Sequence, residues 1–192
     1  MHSMNDMEQY IIFIYELGML KRIQREGWKL LGIVNPESVA EHSLRAAQIG
    51  FILAKLEDYD NPEKICTMLV FHDIGECRIG DIHKVANRYV KANEKTVVLD
   101  QTQSLGDIGE SIFSLWDEIE QQKTTAGIIA KDADLLEMIV TACELKQKQI
   151  KGVENWFENT KKRLKTQTAK RLFQELITTD PNTWWSGLKK FV

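Results

Sequence analysis

The chain has 192 residues, with 25 lysines and arginines against 28 aspartates and glutamates, for a formal net charge of −3. This length suits one domain with its own core, and a hydrophobic fraction of 43% excludes a disordered or fibrous protein. The slightly acidic balance argues against binding to a nucleic acid polymer, which favours a basic protein. Three cysteines without C-x-x-C spacing exclude a disulfide framework and a cysteine-based zinc site.

Targeting and membrane signals are missing from the pattern. No apolar run approaches the ~20 residues that a membrane-spanning helix needs. Asp6 and Glu8 precede the first apolar run, which therefore lacks the basic start of a signal peptide. Together with the unpaired cysteines, this predicts a cytoplasmic protein with no membrane partner. Only three prolines interrupt the chain, so an all-α fold is favoured.

Apolar residues near the N-terminus recur at three- and four-residue steps, which predicts an amphipathic helix over about residues 5–20. Residues 20–33 have no clear period and contain two glycines, so we predict a loop or broken turn there. Loops of this length in a small domain are usually functional or disordered. This one carries Lys21, Arg22, Arg25 and Trp28.

The next predicted helix presents a histidine on its apolar face. Two starts are compatible with the sequence: Asn35-Pro36, with proline in the first turn, or a capping box formed by Ser38 and Glu41. In either case the predicted core face consists of Val39, His42, Ala46, Ile49 and Leu53.

A further helix is predicted to start at Asn61-Pro62, and His72 lies on its apolar face. Gly75 and Gly80 then mark a break in the helical pattern. Beyond a polar stretch, we predict three more helices, over about residues 105–119, from Thr124 or Thr125 to about 148, and over about 153–178.

The tail carries two adjacent tryptophans, Trp184 and Trp185, which we expect to pack on the body of the protein or on a partner chain. No strand alternation, internal repeat or linker interrupts the helical pattern. The sequence therefore predicts one compact multi-helix bundle.

The four histidines differ in their settings. His2 lies in the terminal segment, and His83 lies in a polar stretch where an ordinary surface residue is expected. His42 and His72 both lie on apolar helix faces, and Asp73 follows His72 directly. One buried histidine can simply bind a backbone carbonyl. Two of them beside an aspartate favour metal ligands, because a buried carboxylate is costly unless a cation offsets it.

His72 and Asp73 can bind one ion only if the metal lies between their faces or the helix ends there, since neighbours on a straight helix point about 100° apart. Gly75 supplies such an end. Imidazole and carboxylate donors suit Mn, Co, Fe, Ni or Zn, or Mg with more waters. A fourth ligand is then needed from another helix, where K-D-A-D offers Asp132 and Asp134. Helical periodicity mildly favours Asp132 without excluding Asp134.

Three motifs follow in order: E-H-S at 41–43, F-H-D-I-G-E at 71–76 and K-D-A-D-L-L at 131–136. This ordered set on a helical chain resembles the HD-domain metal phosphohydrolases. Three further features are similar to the HD-domain 5′-deoxynucleotidases: R-E-G-W before N-P-E-S-V-A-E-H-S, H-D-I-G-E-x-x-x-G-D, and K-x-x-D. The resemblance covers about residues 17–150, so we expect one HD domain over 1–192, with a C-terminal helix and tryptophan-containing tail over 151–192.

The resemblance implies a ligand set for one divalent ion of unknown identity, which consists of His42, His72, Asp73 and Asp134. It thereby favours Asp134 over Asp132. It also implies that Glu76 positions or deprotonates the attacking water, a task that suits a carboxylate beside a metal site. Glu76 is four residues after His72, so an uninterrupted helix would place both on one face. Its alternative role is to cap a turn.

The resemblance also implies substrate contacts. Asp81 matches a catalytic-site aspartate near the sugar that helps to select a deoxyribose, although it could also cap the next helix. Arg25 and Trp28 match a phosphate-binding arginine and a tryptophan that faces the base or sugar. Some relatives have the two adjacent, so Arg22 competes for the phosphate role. A solvated basic patch and a core tryptophan are the structural alternatives.

We therefore expect a metal-dependent phosphomonoesterase that converts deoxyribonucleoside 5′-monophosphates to deoxynucleoside and phosphate. One alternative is an HD phosphohydrolase of another nucleotide, of the cyclic, polyphosphate or guanosine pyrophosphate type. The other is a catalytically silent module that binds metal or nucleotide. The resemblance, the apolar N-terminal helix and the tryptophan-rich tail together predict a homodimer.

Overall fold

A computed structural model describes residues 6–188, and within them the chain is helical, with one isolated bridge between Gln24 and Ser38 and no sheet. Its α-helices are α1 (Asp6–Leu17), α2 (Glu26–Lys29), α3 (Val39–Leu56), α4 (Pro62–Phe71), α5 (Glu76–Ile79), α6 (Glu94–Thr102), α7 (Gly106–Gln121), α8 (Thr125–Gln147), α9 (Glu154–Arg163) and α10 (Gln167–Thr178). Short 3-10 turns cover Gly18–Lys21, Ala86–Arg88 and Gln103–Leu105. The predicted all-α fold is confirmed. His2 and the predicted helical residue Asn5 lie outside the described residues.

The starts of the central helices follow local capping signals. Ser38 Oγ accepts a hydrogen bond from the Glu41 backbone N–H at 3.2 Å, and the Glu41 carboxylate accepts one from the Ser38 N–H at 2.6 Å. The capping-box start of α3 is therefore confirmed, and the start at Pro36 is wrong. Asn61 caps α4 as predicted, and Thr124 rather than Thr125 caps α8.

The prediction of one helix over 153–178 is wrong, because the chain breaks between α9 and α10. The Asp132 carboxylate, on α8, accepts hydrogen bonds from the backbone N–H of Lys165 at 2.9 Å and of Thr166 at 2.7 Å. Thr166 Oγ1 then accepts from the Ala169 N–H at 3.1 Å and caps α10. Likewise, the predicted loop over 20–33 contains the one-turn helix α2.

The core is built around α8, which packs against α3, α4, α7, α9 and α10. Its buried side chains join those of α3 and α4 in the largest apolar cluster. Gly50 lets α3 approach α4 closely, since a Cβ there would lie 2.3 Å from Leu69 Cδ1. This packing brings the two predicted histidine-bearing elements against the middle of α8.

The described part of the tail tests one of the two expected packings of its tryptophans. Trp184 is 76% exposed, so it does not pack on the body of the protein, and packing on a partner chain stays a prediction. Trp185 is half-buried, and its indole N–H donates to Asn182 Oδ1 at 3.1 Å. Among the helices of residues 6–188, none combines the length and apolar character that crossing a bilayer requires.

Candidate metal centre

Three elements bring the four predicted ligands together. His42 lies on α3, Asp134 lies on α8, and His72 and Asp73 follow the end of α4. The Nε2 atom of His42 is 3.3 Å from His72 Nε2, 3.2 Å from Asp134 Oδ1 and 3.7 Å from Asp73 Oδ2. Asp73 Oδ2 is also 3.2 Å from His72 Nε2. Two imidazole nitrogens and two carboxylate oxygens thus surround one small space.

The end of α4 explains how adjacent residues face the same point. The helix ends at Phe71, with His72 as its C-cap, and the chain tightens so that the Glu76 N–H donates to the Asp73 carbonyl at 3.0 Å. The predicted helix end is present. Glu76 consequently begins α5, and the uninterrupted helix that would share one face between His72 and Glu76 does not form.

The hydrogen bonds of both rings fix their tautomers. His72 Nδ1 is 2.7 Å from the Leu69 carbonyl oxygen, and His42 Nδ1 contacts the Glu137 carboxylate. Because both partners can only accept, each Nδ1 carries a proton, so in the neutral ring Nε2 is the nitrogen whose lone pair faces the shared space.

The charges around this space favour a cation. Burial and Arg25 act to lower the pKa of His42, but the carboxylates of Asp134 and Glu137 raise it to about 9. Burial opposes ionisation of Asp134 too, yet Lys131 and the two histidines hold its pKa well below the usual range. His42, His72 and Asp134 could hold a metal ion. Nitrogen and oxygen donors in this arrangement fit a divalent first-row ion.

A buried network of side chains contacts the Nδ1 side of the His42 ring, and it was not predicted from the sequence. Besides contacting His42, Glu137 accepts from Arg45 Nε at 2.9 Å, and Arg45 also contacts Thr141. Thr141 lies 3.2 Å from Glu37 Oε1, which extends the network to the N-P-E segment. The available sequence signal was a lone glutamate in the apolar run L-L-E-M-I-V at 135–140, and the structure buries this Glu137 completely. Such outer carboxylates orient metal-binding imidazoles.

Glu76 and Asp81 lie beside the cluster in different roles. Glu76 Oε2 is buried and has no hydrogen-bond partner among the described residues. Burial, followed by the charges of Asp73 and Asp81, raises the pKa of Glu76. Asp81 Oδ2 accepts from the Glu26 N–H at 2.7 Å, so it anchors the start of α2. The alternative that Asp81 caps the helix after it is wrong.

A cavity of about 570 Å³ opens beside Asp73 and Asp134. Arg25 lines it, with Nη1 3.3 Å from Asp73 Oδ2, and Lys131 lines it with Nζ 2.8 Å from Asp134 Oδ2. The two predicted arginines therefore lie in different places. Arg22 is exposed, is absent from the cavity wall and has Nη1 3.6 Å from the Met19 sulfur. Of the two arginines, only Arg25 lies at the cavity, and the phosphate role of either one stays a prediction.

Trp28 combines the core and cavity roles that the sequence left open. It is 3% exposed, yet it lines the cavity. Its indole N–H donates to Glu37 Oε1 at 3.0 Å, and its ring stacks on Trp156 with a centroid distance of 5.2 Å.

The rest of the cavity wall was not predicted from the sequence. His83, expected to be an ordinary surface residue, lines the cavity, and its Nδ1 accepts from the Ala86 N–H at 3.2 Å. The remaining polar wall is formed by Lys84, Asn87, Asn155, Asn159, Thr160 and Arg163. These residues meet only through tertiary packing, so no local spacing identified them.

Comparisons with known proteins agree with this geometry. A family model described as "HD domain" matches residues 17–177. The chain is 37% identical over 159 residues to "5'-deoxynucleotidase HDDC2" of Dictyostelium discoideum, covering 78% of this chain and 83% of that one. It is 29% identical to the protein of the same name from Homo sapiens, over 77% of this chain and 74% of that one.

Solved structures give the same answer for the fold. A conserved hypothetical protein from Pyrococcus furiosus superposes with a TM-score of 0.71 and 31% identity, over 86% of this chain and 98% of that one. The resemblance noted from the three motifs is confirmed. This chain belongs to the HD domain family.

Proposed function

We propose that this protein is a metal-dependent phosphomonoesterase that hydrolyses deoxyribonucleoside 5′-monophosphates to deoxynucleoside and phosphate. The observation that carries the proposal is the convergence of two imidazole nitrogens and two carboxylates at the wall of a cavity of about 570 Å³. A cavity of this size suits a small organic substrate. The choice of substrate rests on relatives that bear the name 5′-deoxynucleotidase.

The proposed metal ligands are His42, His72, Asp73 and Asp134. A divalent ion bound there would polarise a phosphate oxygen and lower the pKa of a coordinated water. The hydrogen bonds of both Nδ1 atoms orient the rings for this role, because they turn the two Nε2 atoms toward the space that would hold the ion.

The roles of the chain's own residues follow from their positions. The unpartnered Oε2 of Glu76 accepts a hydrogen bond and then a proton from the attacking water. Arg25 and Lys131 line the cavity beside Asp73 and Asp134, so they neutralise the phosphoryl oxygens as the bond from phosphorus to the 5′ oxygen breaks.

We assign substrate selection to Asp81 and Trp28. Asp81 lines the cavity and has one carboxylate oxygen occupied by the Glu26 N–H, which leaves the other for a sugar hydroxyl. Trp28 borders the cavity with its indole fixed by Glu37, so it offers an apolar edge to the base or sugar.

A substrate panel tests the proposal. The purified protein is incubated with 5′-dNMPs, 5′-NMPs, cyclic nucleotides, dinucleoside polyphosphates and guanosine pyrophosphate, each with Co²⁺, Mn²⁺ or Mg²⁺. We expect phosphate release from the 5′-dNMPs at the highest kcat/KM. Preferred turnover of another class would replace the substrate assignment. No turnover by metal-loaded protein would indicate a silent binding module.

We further infer a homodimer in the cytoplasm, built from one domain over residues 1–192. Exposed apolar side chains support an interface: on α1, Met7 and Ile14 are each 64% exposed. The family match to residues 17–177, which extends through α9 and most of α10, supports the single domain. Light scattering tests the dimer, and a monomeric mass would refute it without affecting the chemistry.

A further inference from the structure

The charges that line the cavity divide into two groups. Arg25 and Lys131 each lie against a carboxylate of the metal centre, at 3.3 Å and 2.8 Å. Lys84 and Arg163 line the same cavity with exposed side chains, and neither side chain forms an ion pair or a hydrogen bond within residues 6–188. Two cations of this cavity therefore have no protein anion of their own.

Lys84 and Arg163 place two like charges on the wall of one cavity. Partial burial, followed by the charge of Arg163, lowers the pKa of Lys84. A cavity lined by two cations attracts an anion more strongly than an open surface does. Lys84 and Arg163 thus differ from Arg25 and Lys131, which form ion pairs with carboxylates of the metal centre.

The wall that leads to this pair consists of one face of α9. Asn155, Asn159 and Arg163 follow each other at four-residue steps and all line the cavity. A rise of 1.5 Å per residue places Arg163 about 12 Å along the helix from Asn155. The polar stripe therefore runs along the cavity for a distance comparable to a nucleotide.

An independent feature indicates unused hydrogen-bonding capacity on the same wall. Thr160 is 0% exposed and lines the cavity, yet its Oγ1 has no hydrogen-bond partner among the described residues. Buried hydroxyl groups are normally satisfied, so an orphan in a cavity wall points to a ligand or an ordered water.

We propose that Lys84 and Arg163 form a second anion subsite, which binds a phosphate on the 3′ oxygen of a substrate whose 5′ phosphate lies at the metal centre. This inference rests on the proposed function and extends its substrate class to 5′-phosphorylated deoxynucleosides that also carry a 3′ phosphate. Within a nucleotide, the 3′ oxygen is the usual position for a second anion remote from the 5′ ester. Asn155 and Asn159 of α9 line the cavity that both subsites share.

The reaction at the 5′ end is unchanged in this proposal. Water adds to the 5′ phosphorus, the bond from phosphorus to the 5′ oxygen breaks, and the 5′ oxygen leaves with a proton. The products are inorganic phosphate and a deoxynucleoside 3′-phosphate, since the 3′ group only binds.

The test compares kcat/KM for thymidine 5′-monophosphate, 5′-diphosphate, 3′,5′-bisphosphate and the 5′-phosphorylated dinucleotide pTpT. A 3′ phosphate held by two cations should raise kcat/KM about tenfold over the monophosphate. The 5′-diphosphate should show no such gain, because its second charge lies at the wrong end. Comparison of the bisphosphate with pTpT distinguishes a free 3′ phosphate from a diester.

The matched variants change net charge equally. Lys84→Ala/Arg163→Ala should bring the ratio of bisphosphate to monophosphate kcat/KM close to one. Lys161→Ala/Lys162→Ala removes two exposed α9 cations that do not line the cavity, and should keep the wild-type ratio. Equal kcat/KM for both substrates in the wild type, or a preference that survives Lys84→Ala/Arg163→Ala, would overturn the subsite.

A binding measurement separates this inference from the proposed function. Thymidine 3′-monophosphate has no 5′ ester, so calorimetric titration reports the subsite without turnover. We expect binding to the wild type and to Lys161→Ala/Lys162→Ala, and about tenfold weaker binding to Lys84→Ala/Arg163→Ala. Failure of the monophosphate assay alone would refute the proposed function, whereas equal affinity of all three proteins would refute the subsite.

Discussion

Glu137 of α8 accepts the Nδ1 proton of His42 of α3, and this contact fixes which nitrogen of the ring faces the other metal-site donors. Both side chains are 0% exposed. Burial raises the pKa of Glu137, but His42 and Arg45 outweigh it and keep the carboxylate ionised. The same helix therefore supplies Asp134 to the cluster and Glu137 behind it.

This contact predicts that Glu137 controls metal affinity without touching the ion. Glu137→Ala should weaken divalent metal binding about 10- to 100-fold, because the His42 ring loses its orienting acceptor. Glu137→Gln keeps an acceptor oxygen and should lose much less. Competition with a metal chelator measures both. Glu144→Gln is the control, since Glu144 contacts Arg45 but not His42. Equal affinity of Glu137→Ala and wild type would refute the positioning role.

Asp132→Ala and Asp134→Ala should lose different properties: the first should lose stability and the second should lose the metal. Asp132 binds two backbone N–H groups at the break before α10, so Asp132→Ala should lower the free energy of unfolding by about 2–4 kcal/mol. Its metal content should stay at the wild-type level under native conditions. Asp134→Ala should lose the metal. Urea unfolding and metal analysis of both variants test this, and metal loss from folded Asp132→Ala would contradict it.

The two arginines of the 20–33 segment should also differ in how much their removal lowers activity. Arg25→Ala should lower kcat/KM for a 5′-dNMP about 100-fold or more, because a buried cation beside the phosphoryl group is removed. Arg22→Ala should stay close to wild type, since Arg22 is exposed and outside the cavity wall. Steady-state kinetics on both variants measure the two losses. A larger loss of kcat/KM for Arg22→Ala than for Arg25→Ala would indicate Arg22 as the phosphate ligand.

A stability prediction concerns the turn from α7 to α8. A Cβ at Gly127 would lie 2.3 Å from the Glu118 backbone carbonyl oxygen, so Gly127→Ala should lower the free energy of unfolding by about 1–3 kcal/mol. Gly18→Ala is the control, because nothing lies within 4 Å of its added Cβ. Urea denaturation should show a lower midpoint for Gly127→Ala only. Equal midpoints would mean that the backbone relaxes at no cost.

Local signals were sufficient for the features that depend on neighbours in sequence. The capping box at Ser38, the Asn61 cap and the histidines on apolar faces all follow from short spacings, which act before any tertiary contact forms. The break between α9 and α10 could not be predicted, because a carboxylate from α8 binds the chain there.

The site was predictable to a similar extent. The motif order named four donors that the fold brings within 3.8 Å of a neighbouring donor. Periodicity could not choose between Asp132 and Asp134, because both are buried on a helix with core contacts on most sides. The cavity wall of α9 was not identified, since Trp156 meets Trp28 only after the chain folds back across α8.

The central claim is that a divalent metal held by these four residues is required for phosphate release, with Glu76 as the proton acceptor. The most direct measurement is metal content together with phosphate release from a 5′-dNMP for wild type, Asp73→Ala and Glu76→Ala. We predict that Asp73→Ala loses both, whereas Glu76→Ala keeps its metal and loses activity. An active, metal-loaded Glu76→Ala would contradict the proposed proton acceptor, and an active, metal-free Asp73→Ala would contradict the metal-dependent mechanism itself.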